Sequence, residues 1–181
     1  MTRIVALSGS LRKRSFNTAL VNAAAKMFPE EVAAASITGI PLYNADIEES
    51  EGIPEVVSKL KDRIAEADGL LLVTPEYNNA IPGVFKNAID WLSRPTKDIP
   101  RVFHNKPVAL TGASVGSFGT TLAQTAWLPI LRTLRVQPWF EGRLLVTRAA
   151  SLVDDEGVLT DEDTLKKLRE FVAGFIAYCR S

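Results

Sequence analysis

Five short apolar runs, at 3–8, 33–38, 69–74, 107–112 and 143–147, alternate along the chain with longer segments whose apolar residues recur at helical spacing. Such alternation builds βαβ units, and these build an α/β fold in which a parallel sheet is covered by helices on both faces. The run Gly69-Leu70-Leu71-Leu72-Val73 is apolar at every position, as a central parallel strand requires. Pro107-Val108-Ala109-Leu110-Thr111-Gly112 has the same character. Helices are expected over 15–27, where Phe16, Leu20, Ala24 and Met27 share a face, and over 54–67, which opens at Pro54 and carries Val56, Val57, Leu60 and Ile64. Others are expected over 82–93 and over 119–135, where Pro129 predicts a kink or a break. The last, over 161–179, lines up Leu165, Leu168, Val172, Phe175, Ile176 and Cys179. A thiol on that stripe reads as a small apolar filler. The acidic segment 46–52, DIEESEG, reads as a solvated loop, and 93–105 as a polar loop that serves as a lid or an oligomer contact.

The 181 residues suit one domain spanning 1–181. Twenty-one basic residues balance 21 acidic ones, which argues against bulk electrostatic binding to nucleic acid or to an anionic membrane. No apolar stretch approaches the roughly 20 residues that cross a bilayer, so a cytoplasmic protein is expected. A single cysteine forms no internal disulfide, and with one histidine, His104, the chain offers little for a metal site or a histidine-based triad.

In an open parallel sheet, ligands bind beyond the carboxyl ends of the strands, where strand order reverses. The loop after the first run, residues 9–17, reads GSLRKRSFN. It lies between a strand end and a helix start, where unpaired backbone N–H groups and the helix dipole favour an anion. Ser10 and Ser15 add hydroxyls, Asn17 an amide and Arg12 a cationic fork. The same residues also suit a plain helix cap at Ser15 beside a solvated basic loop.

The loop after the third run, Thr74-Pro75-Glu76-Tyr77-Asn78-Asn79-Ala80-Ile81-Pro82-Gly83, is stiffened by two prolines and offers the flat face of Tyr77. The loop after the fourth, Gly112-Ala113-Ser114-Val115-Gly116-Ser117-Phe118-Gly119, lets backbone approach a ligand closely. Together the three loops suit a phosphorylated planar ring. No G-x-x-x-x-G-K-[ST] and no G-x-G-x-x-G stands in the first turn, which argues against a P-loop nucleotide hydrolase and a dinucleotide fingerprint.

Gly9-Ser10-Leu11-Arg12 with Ser15-Phe16-Asn17, then Pro75-Glu76-Tyr77-Asn78, then Ile81-Pro82-Gly83-Val84-Phe85-Lys86-Asn87-Ala88-Ile89-Asp90-Trp91, resembles the NAD(P)H-dependent FMN reductase family, in particular its bacterial quinone and chromate reductases. The resemblance implies a flavodoxin-like three-layer sandwich with a five-stranded sheet in the order 2-1-3-4-5. It implies that Ser10, Arg12, Ser15 and Asn17 hold the FMN phosphate, with a backbone contact from Phe16. Pro75, Glu76, Tyr77 and Asn78 would line the isoalloxazine ring, and Ser114, Val115 and Gly116 would border it. Two positions depart from the family pattern: Asn79-Ala80, where a larger residue or a serine is frequent, and Thr120, where a second glycine often stands.

The activity implied is hydride transfer from NADH or NADPH to FMN, followed by two-electron reduction of a quinone or another small acceptor such as chromate, an azo dye or free flavin, in ping-pong order. The flavin carries that chemistry, so no catalytic side chain and no metal is expected. Glu76 would act either through its carboxylate or as a structural element of its turn. An FMN-binding electron carrier with a protein partner is the alternative, although carriers of flavodoxin type are commonly acidic and this chain is neutral. Flavin sites in the family lie at subunit interfaces, implying a homodimer or homotetramer with Trp91, 93–105 and Phe118 as contact surface. Trp91 and Trp127 are otherwise read as core residues, and His104 as a surface residue.

Overall fold

A computed structural model describes residues 2–181. Strands β1 (Ile4–Ser8), β2 (Val32–Ala35), β3 (Gly69–Val73) and β4 (Pro107–Ala113) pair in parallel in the order β2-β1-β3-β4. The fifth position of the sheet, beside β4, is filled twice. β5 (Gln137–Pro138) pairs with the start of β4, and β6 (Leu144–Val146) with its end. The expected order therefore holds, and its last strand is interrupted by an excursion over 139–143. At the opposite edge the Arg63 guanidinium donates to the Ala34 carbonyl at 2.9 Å.

Successive side chains of a strand leave on opposite faces, and here they feed two cores. Ile4, Ala6, Leu71, Val73 and Ala109 pack with α1 (Phe16–Met27) and α7 (Glu162–Tyr178). Val5, Leu7, Leu70, Leu72 and Val108 pack on the other face with α3 (Glu55–Glu66), α4 (Gly83–Leu92) and α6 (Thr121–Thr133). Trp91 and Trp127 are both fully buried in that second core. Trp127 meets Phe85 edge-on with ring centroids 5.0 Å apart, while the Trp91 indole donates to the Pro41 carbonyl at 2.9 Å. Trp91 thus has no surface to give to a partner.

Pro129 does not break α6. It is exposed, and so is Thr125, whose carbonyl lacks its usual N–H partner. Cys179 packs beside Gly69, and burial pushes its thiol up to about 12, as suits an inert filler.

Two expected loops are instead ordered elements. The acidic segment forms α2 (Ala45–Glu51), started by the Asn44 side chain accepting from the Asp46 N–H at 2.9 Å. It buries no residue, so apolar periodicity leaves no trace of it. The 93–105 stretch forms a 3₁₀ turn, Thr96–Asp98, and a short helix α5 (Ile99–Val102), with Val102 and Phe103 in the second core. Three ion pairs join it to the rest of the protein, the most exposed of them Arg101 with Asp62 at 2.9 Å. The buried Lys61 ammonium meets Asp98 at 2.5 Å, and Arg94 meets Glu48 of α2 at 2.8 Å, where the Tyr43 hydroxyl also donates. These pairs hold the segment against α2 and α3.

Hydrogen bonds from Lys61 and Arg94 hold the Asp98 and Glu48 carboxyls below the usual carboxylate range. Their contribution to stability is therefore complete above that range and is lost as the pH falls below it. Thermal unfolding between about pH 5 and 3 is expected to show a drop in Tm that is smaller in Lys61→Met, where Asp98 has no ammonium to meet. At neutral pH, Asp98→Ala is expected to cost about 2–3 kcal/mol in urea unfolding, because it leaves the Lys61 charge buried without its carboxylate.

Candidate functional site

The carboxyl ends of β1, β3 and β4 deliver three loops to one cleft of about 260 Å³. The point lies where the sheet reverses direction, between β1, which pairs outward to β2, and β3. The cleft is lined by Ser10, Arg12, Ser15, Phe16, Asn17, Pro75, Glu76, Tyr77, Ser114 and Val115, all of them expected from the sequence. Asn78 and Gly116, also expected, stand outside the lining, and Ala113 joins it.

The first loop is folded by its own hydroxyls. Thr18 Oγ1 donates to Ser8 Oγ at 2.9 Å, and the backbone N–H of Arg12 donates to Ser10 Oγ at 3.3 Å. Ser15 caps α1 by accepting from the Thr18 N–H, and is itself buried. A serine that accepts in this way still has its proton to donate. The N–H groups of Phe16 and Asn17, at the first two positions of α1, have no protein partner among the described residues. The cap and the anion reading do not compete, because Ser15 satisfies one N–H and leaves two open.

The Arg12 guanidinium lies 4.6 Å from the centre of the Phe16 ring and makes no ion pair among the described residues. Gly9 serves packing: a Cβ there would stand 2.2 Å from Phe85 Cδ1. Asn17 is buried, and its side chain is committed elsewhere. Its Nδ2 donates to the Ala113 carbonyl and its Oδ1 accepts from the Ala113 N–H, both at 2.9 Å. What Asn17 turns toward an anion is its free backbone N–H.

The second loop is rigid for reasons of backbone. Tyr77 and Ala80 exchange both backbone hydrogen bonds around Asn78 and Asn79, whose φ values are 51° and 60°. Two successive residues with positive φ make a type I′ turn, which asparagine tolerates better than other non-glycine residues. This explains Asn79-Ala80, since a larger residue at Asn79 would be strained there. Tyr77 is 51% exposed above the cleft. The Glu76 carboxylate accepts from the backbone N–H groups of Leu122 and Ala123 at 2.8 and 2.9 Å, at the start of α6. The carboxylate thus bonds to α6, and not within its own turn, which the Tyr77–Ala80 backbone bonds close.

The third loop is held where Ser114 donates its hydroxyl to the Gly119 carbonyl at 2.7 Å and the Arg148 N–H donates to the Gly116 carbonyl. Thr120 is fully buried, with its Oγ1 only 2.6 Å from where a Cβ at Gly112 would sit. The threonine therefore fills space that Gly112 vacates. Val115 and Phe118 are 67% and 82% exposed beside the cleft mouth.

His104 is half-buried and remote from these loops. A larger hollow, of about 620 Å³, runs along α1 and α7 and shares Ser15 with the cleft, but it gathers no second strand end. The free N–H groups, the serine hydroxyls and an unpaired arginine suit a phosphate, while Pro75, Tyr77 and Val115 offer apolar walls to a flat ring. The residues present therefore fit FMN.

Residues 2–151 match the family described as NADPH-dependent FMN reductase. The chain is 39% identical over 180 residues to a 2-hydroxy-1,4-benzoquinone reductase of a Burkholderia species, covering 98% of this chain and 96% of that one. It is 40% identical over 172 residues to an NAD(P)H-dependent FMN reductase of Pseudomonas aeruginosa, covering 94% and 89%. Among solved structures it is similar to FerB, a flavoenzyme NAD(P)H:(acceptor) oxidoreductase from Paracoccus denitrificans, with a TM-score of 0.85, 34% identity, and coverage of 99% of this chain and 98% of that one. The chain belongs to the NADPH-dependent FMN reductase family, flavodoxin-like oxidoreductases with FMN as cofactor and NAD(P)H as reductant.

Proposed function

We propose that this chain, working as one domain, holds FMN in the cleft and reduces quinones with NAD(P)H in ping-pong order. The observation that carries the reading is the cluster of unspent donors at the start of α1: the Phe16 and Asn17 N–H groups, the Ser10 and Ser15 hydroxyls and the unpaired Arg12. These would grip the phosphate. Pro75, Tyr77, Ser114 and Val115 would hold the ring, and the solvent side of the cleft would admit the two substrates in turn. Bound FMN supplies the redox chemistry, accepting a hydride from NAD(P)H and passing two electrons to the acceptor. The chain's own part is to bind, orient and set charge around it, and Phe16 fixes Arg12 for that task by stacking.

Quinones are the proposed acceptors because relatives of about this length carry that activity in their names. Chromate, azo dyes and free flavin are the further acceptors to assay. A homodimer or homotetramer is proposed as well, supported by the exposed Val115 of the cleft and by Phe118 and Leu122, large apolar side chains exposed in the segment that follows it. No helix is long and apolar enough to cross a membrane, and a cytoplasmic location, where NAD(P)H is at hand, accords with the reading.

Protein loaded with FMN is expected to turn yellow and to oxidise NADH or NADPH when benzoquinone is supplied, and a colourless, inactive protein would falsify the proposal. Anaerobic stopped-flow mixing with each nucleotide in turn measures the preference between them. Arg12→Ala is expected to weaken FMN binding by about 1.5–3 kcal/mol, measured by fluorescence titration, through loss of a charge-assisted hydrogen bond.

A further inference from the structure

Helix α6 lacks the usual means of finishing its own N-terminus. Thr120 at the N-cap makes no side-chain cap bond, and the first turn contains no acidic residue. The N–H groups of Leu122 and Ala123 find their acceptor in Glu76, 46 and 47 residues earlier in the chain. The bond crosses from one wall of the cleft to the element that carries the other. Glu76 sits in the β3 loop between buried Pro75 and the tight turn at Asn78-Asn79, while the Val115–Phe118 stretch runs directly into α6. That stretch is short and is fastened at its far end by the Ser114 bond to Gly119. Beside the pairing of β3 with β4, that carboxylate ties the two walls to each other.

The charge of that carboxylate is also met by the helix end. A negative group on the first-turn N–H groups of a helix is compensated by the positive end of the dipole. An uncompensated carboxylate beside the ring would oppose the build-up of electron density there. Glu76 lines the cleft with one carboxylate oxygen given to α6, while Arg12 and the free N–H groups of α1 are the positive groups there.

We propose that Glu76 is a positioning residue: its carboxylate bridges the β3 loop to α6, fixes the width of the slot for the flavin ring, and contributes no charge to the flavin. The inference rests on the reading that the ring lies between those two walls.

The test compares Glu76→Gln, which keeps an acceptor oxygen and loses the charge, with Glu76→Ala, which loses both. In protein without FMN, Glu76→Ala is expected to speed hydrogen exchange at the Leu122 and Ala123 amides by about tenfold or more, and Glu76→Gln to restore most of the protection. In protein with FMN, Glu76→Ala is expected to lower kcat/KM for benzoquinone about tenfold, with FMN affinity within about threefold because the phosphate cradle is intact. Glu76→Gln is expected to recover at least about half of that kcat/KM and to leave the flavin midpoint potential where it was. A Gln variant as impaired as the Ala variant, with a displaced potential, would mean that the charge acts on the ring and would overturn the proposal. So would an Ala variant that loses amide protection and keeps full kinetics. If the unaltered protein bound no FMN, the function proposed above would fail, while the exchange experiment would still report the bridge.

Discussion

The buried Asn17 amide has two polar ends, and the backbone of Ala113 satisfies both at 2.9 Å. An amide carried into an apolar interior without partners costs on the order of 1–3 kcal/mol, so the pairing is obligatory once Asn17 is inside. Its geometric result is larger than its energy. The first turn of α1 is tied to the last residue of β4, 96 positions away, and the free N–H groups at the start of α1 are fixed relative to the third loop. The anion grip and the slot beside it thus belong to one frame.

A second bond of the same kind, from Glu76 to the start of α6, closes the frame on its other side. In both cases a polar side chain crosses between elements distant in sequence and spends itself on backbone. In the cleft, the one carboxylate is turned to a helix end while Arg12 makes no ion pair, so the two opposite charges of the lining are kept apart.

Much of this was legible in the sequence, for identifiable reasons. The unbroken apolar run at Gly69–Val73 could only be an interior strand, and strand ends plus loop composition were enough to bring residues 9–17, the Pro75 loop and the Ser114 loop together. Periodicity missed α2, which has no buried side, and the anchoring of 93–105, which depends on Lys61 meeting Asp98 from another helix. The loop chemistry pointed to Asn17, and the family resemblance to Glu76, as candidate site residues. Their partners are main-chain groups at 113, 122 and 123, and main-chain groups have no signature in a sequence. Ala113 was missed for the same reason, since its part in the site is played by its peptide and not by its methyl group.

The interruption between β5 and β6 bears on how this molecule can meet others. An unbroken edge strand is a template on which a foreign strand can add by hydrogen bonding, and a sheet with such an edge can grow. Here one border offers two residues, then a detour that carries Trp139 inward, then three residues more. The other border, β2, has four residues and a guanidinium on one of its carbonyls. Neither border is long enough to nucleate a continuous ladder. Borders so short disfavour strand addition, where contact is by backbone and indifferent to sequence, and leave selective contact to side chains of helices and loops.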